Sequence, residues 1–255
     1  MAASGPRRGW AWLTTPPADR PTESDLATTD VLGLQLPVRA TVAVLLTTLV
    51  VLVDLSRVLV PASIELLGHS PAELRALAAE RVVLYGVLPL AVVVLGFRDR
   101  PSRYGLTIGD ARAGASLLAV GVVVMTPIVL WSATLPDVRA YYAQAAAPLP
   151  DLLLSNVLEL TAAEFLFRGF LMLTLLRAIG PIGVVIAVMP FALGHANKPA
   201  IELLSTLGGG LAYGWLAWRT RSILWGSIAH VYIVTLVMMA AAGPVATVVS
   251  AAATR

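Results

Sequence analysis

Residues 160–170, LTAAEFLFRGF, carry Glu164 and Arg168 inside one of the most apolar parts of the chain. Both charges are costly in hydrocarbon, where ionisable side chains face a cavity, a partner or each other rather than lipid. At a spacing of four residues they share one face of a helix, about 40° apart. Either they neutralise each other and lock helix packing, or Arg168 keeps an ionised carboxylate oriented toward a polar cavity.

The surroundings decide the fold class. Hydrophobic residues make up 58% of the chain and charged residues 13%, against about 45–50% and about 25% in soluble domains. This is the composition of an integral membrane protein. Apolar runs near the roughly 20-residue spanning length lie at about 38–60, 80–97, 113–134, 151–176, 182–196, 201–218 and 222–242. They predict an all-α polytopic bundle of seven transmembrane helices, or eight if 244–255 is a partly inserted piece. Residues 1–34 hold no periodic apolar face and no signal-peptide core, and they read as a disordered cytoplasmic tail. Residues 35–250 then form a single transmembrane domain. With the N-terminus inside, eleven basic residues fall in cytoplasmic segments and five outside, Arg81 and Lys198 among the five. The positive-inside rule favours that orientation in the cell membrane.

Some local signals are sharp. SPAE, residues 70–73, sets Ser70 as an N-cap, Pro71 at the first helical position and Glu73 to close a capping box. Gly208, Gly209, Gly210 and Gly214 offer close helix approach. With no cysteine, disulfides, thiol nucleophiles and thiolate ligands are excluded. The net charge of +3 suits arginine-rich loops beside anionic lipid rather than nucleic-acid binding. Paired half-length helices of an inverted-repeat transporter are not evident.

Five ionisable residues stand out in the second half: Glu159, Glu164, Arg168, His195 and His230. His69, in a loop, needs no explanation. One carboxylate and two histidines from three different spans can activate water or bind a divalent metal such as zinc, and the donor types fit either scheme.

The order and context of these residues resemble the CPBP family of intramembrane proteases (CAAX proteases and bacteriocin-processing enzymes, also called Abi). That family reads E-E-x-x-x-R, then F-x-x-x-H, then H-x-x-x-N/D. AEFLFRG supplies Glu164 and Arg168, FALGH supplies Phe191 and His195, and RTRSILWGSIAH supplies His230. The resemblance covers about residues 110–240. It implies an intramembrane endopeptidase with Glu164, His195 and His230 as catalytic groups, Arg168 in support, and a peptide or protein substrate in the bilayer. If a metal takes part, His195, His230 and Glu164 would hold it. In that scheme helices four, five and seven enclose a polar pocket containing Glu164, Arg168, His195 and His230.

Two positions depart from the pattern. Ala163 stands where the family has its first Glu, and Val234 where it has Asn or Asp. The resemblance assigns water activation to that Glu with the second-motif histidine, and oxyanion stabilisation to the third-motif histidine with the Asn. Glu159 lies one turn before Ala163, about 40° round the helix, as a substitute carboxylate. The alternative is a catalytically impaired relative that acts as a membrane binding or scaffold protein. Oligomeric state and substrate identity are not encoded in any of these features.

Overall fold

The computed structural model describes residues 10–59, 70–143 and 147–242. His69 and the 244–255 segment lie outside them. Two short helices, α1 (Ala11–Thr14) and α2 (Glu23–Leu26), precede a hairpin of β1 (Thr28–Val31) and β2 (Leu34–Pro37). The rest is helical: α3 (Val38–Ser56), α4 (Pro71–Gly96), α5 (Ala111–Ser132), α6 (Pro136–Tyr142), α7 (149–179), α8 (Ile182–Leu193), α9 (Ala200–Thr220) and α10 (Leu224–Ala242).

Four of these, α3, α4, α5 and α10, are long and apolar enough to cross a membrane. The prediction of seven or eight such helices is not matched in number. At twelve residues, α8 is a short apolar helix, below the length that spans the hydrocarbon core unaided. The long helix α7 carries Asp151, Glu159, Glu164, Arg168 and Arg177, so its composition is not that of a lipid-facing span. Its position explains this. Helix α7 is the central element, packed by α3, α4, α9 and α10, and every residue from Phe165 to Met172 is buried. Lipid tails are as apolar as leucine, so the bundle is held by packing and by interhelical polar contacts rather than by apolar burial alone.

The helix start at 70–73 forms as the sequence predicts. Ser70 Oγ accepts from the Glu73 backbone N–H, while the Glu73 carboxylate accepts from the Ser70 N–H at 2.9 Å. The helix begins at Pro71, well before the apolar run, so Arg81 falls mid-helix. Arg81 is not in an outer loop as counted above; it lies within the bundle, bonded to Asp54 and Glu159. Among the four glycines of α9, two make close contacts. A β-carbon at Gly210 would stand 3.0 Å from Val188, and one at Gly214 would stand 2.9 Å from Val184, both on α8. Gly208 and Gly209 face open space.

Residues 10–37, expected as coil over most of their length, form a strap over one end of the bundle. The reason is charge complementarity with arginines distant in sequence. Asp25 is buried and paired with Arg39 (2.9 Å), Arg103 (2.6 Å) and Arg177 (3.3 Å). Arg219 donates to the carbonyls of Leu13 and Trp12, Arg221 pairs with Asp19 at 2.7 Å, and Arg112 lies over the Trp12 ring. Burial disfavours the charged Asp25 carboxylate. Hydrogen bonds from Thr22 together with Arg103 and Arg177 outweigh that cost and hold its pKa well below the ordinary carboxylate range.

Candidate active site

The site is built where α7 changes its winding. Its first part is α-helical to Glu164, and residues Phe165–Met172 then run in π register, a local widening often found at functional positions. Glu164 and Arg168 flank this change, both almost fully buried. An Arg168 Nη1 atom lies 3.3 Å from Glu164 Oε1. The guanidinium also sits over two rings, Phe191 at 3.8 Å and Tyr213 at 5.3 Å from the centroids. Neither Nη atom has a hydrogen-bond partner. The cation is therefore compensated by a carboxylate at ion-pair distance and by two π faces, which attract cations more strongly away from water.

Glu164 also reaches α10. Its Oε1 lies 2.9 Å from His230 Nδ1, and an ionised carboxylate only accepts, so Nδ1 carries the proton. His230 stacks on Tyr213 at 5.4 Å. The other carboxylate oxygen, Oε2, has no hydrogen-bond partner and points at Gly226, where a β-carbon would stand 3.2 Å away. Thus Gly226, one turn before His230, makes room for the Glu164 carboxylate.

His195 is set differently. It follows α8, and its Nδ1 lies 2.8 Å from the Phe191 carbonyl. That oxygen can only accept, so Nδ1 again holds the proton and Nε2 is left with its lone pair. The F-x-x-x-H spacing thereby has a physical account. Phe191 presents its carbonyl to the histidine four residues on and its ring to Arg168. The same ring lies against His195 at 4.6 Å and His230 at 6.2 Å.

Both histidines line one polar cavity of about 90 Å³, large enough to hold water. Ala163 and Val234 are in the same wall. Glu164 and Arg168 are not: the expected pocket containing all four motif residues is really a cavity with the two histidines in its wall and the Glu164–Arg168 pair behind His230. Packing places the pair against α10 and the rings of Phe191 and Tyr213.

Glu159 does line the cavity, one turn from Ala163. Its carboxylate is bonded by Arg81, whose Nε lies 3.4 Å from Asp54, and Asp54 accepts from the Tyr85 hydroxyl at 2.7 Å. Asp54, Arg81 and Tyr85 were not singled out from sequence. Asp54 was findable, since it is an acid inside the apolar run 38–60 and meets the same criterion as Glu164. On the far side, Lys198, Glu202 and Tyr142 complete the polar lining.

A tetrahedral zinc centre needs three or four converging donors. Here Glu164 Oε1 is taken by His230 and Arg168, and among the described residues no three His, Asp or Glu side chains are grouped to hold a metal ion. This donor set does not fit a tetrahedral zinc centre.

The fold and site therefore define a helical membrane protein whose central helix carries a buried Glu–Arg pair, while two histidines from other elements line a polar cavity beside it. Residues 145–236 match the family model Rce1-like, described as Type II CAAX prenyl endopeptidase Rce1-like. This segment contains all three motifs, and over it the chain is similar to the CAAX-protease family to which the sequence resemblance pointed. It matches none of the curated proteins and none of the solved structures with which it was compared.

Proposed function

We propose that the protein is an intramembrane endopeptidase in which His195 and His230 divide the work. The observation that carries this is geometric. Two histidines from different elements line one polar cavity, each with Nδ1 tied to an acceptor and Nε2 without a partner among the described residues. His195 Nε2 takes a proton from water as the water oxygen adds to the scissile carbonyl carbon. The carbonyl oxygen becomes the oxyanion. His230, protonated on both nitrogens and compensated by Glu164, donates Nε2–H to that oxygen. Collapse breaks the C–N bond, and the proton held by His195 passes to the leaving amine. Arg168 holds Glu164 in place. The arginine-rich end covered by the strap is the cytoplasmic side, and the substrate is a peptide segment at the membrane.

A second reading is favoured by a specific observation. Ala163 and Val234 stand in the cavity wall at the two departures from the family pattern, and the carboxylate one turn from Ala163, Glu159, is engaged by Arg81. A relative that binds a peptide without cleaving it has the same fold and the same Glu164–His230 contact.

Turnover of a broad peptide library by the purified protein in lipid nanodiscs separates the two. The endopeptidase reading expects cleavage that His195→Ala reduces by about 10²–10⁴-fold, the usual loss for a general base. No cleavage by the wild type, with cleavage gained by Ala163→Glu/Val234→Asn, supports the binding protein instead.

A further inference from the structure

Val234 leaves one side of the cavity without the amide donor that the family pattern places there, yet the cavity holds a cation nearby. Lys198 is the only lysine in the chain, and it lines the cavity with His195, His230 and Val234. Its position is fixed from both directions. The Lys198 backbone N–H donates to the His195 carbonyl at 3.0 Å, so the two residues are the ends of one tight turn. Its side chain then pairs with Glu202, one turn into α9, at 3.1 Å.

An ammonium group has three donors. For Lys198, one donates to the Tyr142 hydroxyl at 3.0 Å, and Glu202 Oε1 lies at ion-pair distance, 3.1 Å. Tyr142 in turn donates to Glu202 Oε2 at 2.6 Å. The rings of Tyr141 and Tyr142 flank the cation at 5.2 and 5.1 Å from their centroids. This leaves at least one N–H without a hydrogen-bond partner among the described residues, on a lysine held in a cavity wall. Charge compensation by Glu202 and the two rings holds the half-buried cation in the cavity wall.

We infer that Lys198 is a catalytic residue, its remaining N–H donating to the oxyanion in the place that Val234 cannot serve. The inference rests on the endopeptidase reading and adds a residue to it. An oxyanion donor acts on the charge that develops in the transition state, so its loss lowers kcat and leaves substrate binding nearly unchanged. Tyr142 and Glu202 are positioning residues, since they hold the ammonium and touch no reacting atom.

The test compares wild type, Lys198→Met, Lys198→Met/Val234→Asn and His195→Ala in nanodiscs, using a peptide that the wild type cleaves, with thermal unfolding recorded for each. Lys198→Met is expected to lower kcat by about 10²–10³-fold, with KM changed less than about threefold. Val234→Asn in that background is expected to restore at least about tenfold of kcat, which a structural role for Lys198 does not produce. If Lys198→Met keeps kcat within about threefold of wild type while His195→Ala is inactive, the inference about Lys198 is overturned and the reading of the histidines stands. If the loss lies in KM, or follows a lowered unfolding midpoint with no recovery from Val234→Asn, Lys198 is a binding or structural residue and the inference again fails. A wild type without turnover, or an active His195→Ala protein, overturns the endopeptidase reading and this inference together.

Discussion

Replacing Glu164 by Gln tests whether the buried pair at the centre of α7 is a coupled unit. The substitution keeps the side-chain shape and an oxygen that can accept from His230 Nδ1, so no cavity opens and the hydrogen bond survives without charge. What is lost is the compensation of Arg168, which is 2% exposed and has no hydrogen-bond partner on either Nη atom. Breaking a buried pair by removing one partner costs about 3–5 kcal/mol, because the other charge is stranded. Stacking on Phe191 and Tyr213 offsets part of this, about 1–2 kcal/mol, so Glu164→Gln is expected to cost about 1–4 kcal/mol. Arg168→Met removes the stranded cation with a side chain of similar length. The double variant Glu164→Gln/Arg168→Met should therefore be more stable than the sum of the single losses implies, by at least about 1.5 kcal/mol, within the range for groups in contact. Denaturant titration in mixed micelles, followed by tryptophan fluorescence and repeated by proteolytic susceptibility, measures all four corners of the cycle. Additivity within about 0.5 kcal/mol would refute the coupling and reduce Arg168 to a packing residue.

Two further outcomes are expected at the strap and the loop beneath it. Because the folded Asp25 carboxyl is held below its ordinary value, its contribution is fully present above the unfolded value and is lost as pH falls toward the folded one. Acidification below about pH 4 should therefore increase amide exchange at residues 22–26 in the wild type, and an Asp25→Asn protein should already be loosened at pH 7 and lack that added change. Equal acid sensitivity in the two proteins counts against the arginine cluster as the latch. At Gly169 a β-carbon would stand 2.5 Å from the Tyr104 carbonyl and 2.8 Å from the Phe165 ring. Gly169→Ala should destabilise by about 1–3 kcal/mol, as overpacking does, and an unchanged unfolding midpoint would show that the 101–104 turn does not dock there.

The lesson of the two departures is local. Ala163 and Val234 are legible in the sequence as omissions, and the structure puts both in the cavity wall, facing the groups that remain. The capping box at Ser70 was equally legible, since its donors and acceptors lie three residues apart. Arg81 was not. A residue near the start of an apolar run reads as a loop charge until α3 and α7 bring Asp54 and Glu159 against it. The strap escaped for the same reason, since Asp25 is polar coil until Arg39, Arg103 and Arg177 surround it.

The sequence by itself determined that this is a helical membrane protein with an acid–base pair in a buried helix, two histidines downstream, and a likeness over residues 145–236 to the CAAX-protease family. Those properties reside in composition, in spacing along one helix and in motif order, all of which are local or one-dimensional. Only the tertiary structure decided that Glu164 serves His230 from behind the cavity while Glu159, Lys198 and the two histidines face into it. That division depends on side chains from seven helices meeting in one volume, which is not written in the order of residues along the chain.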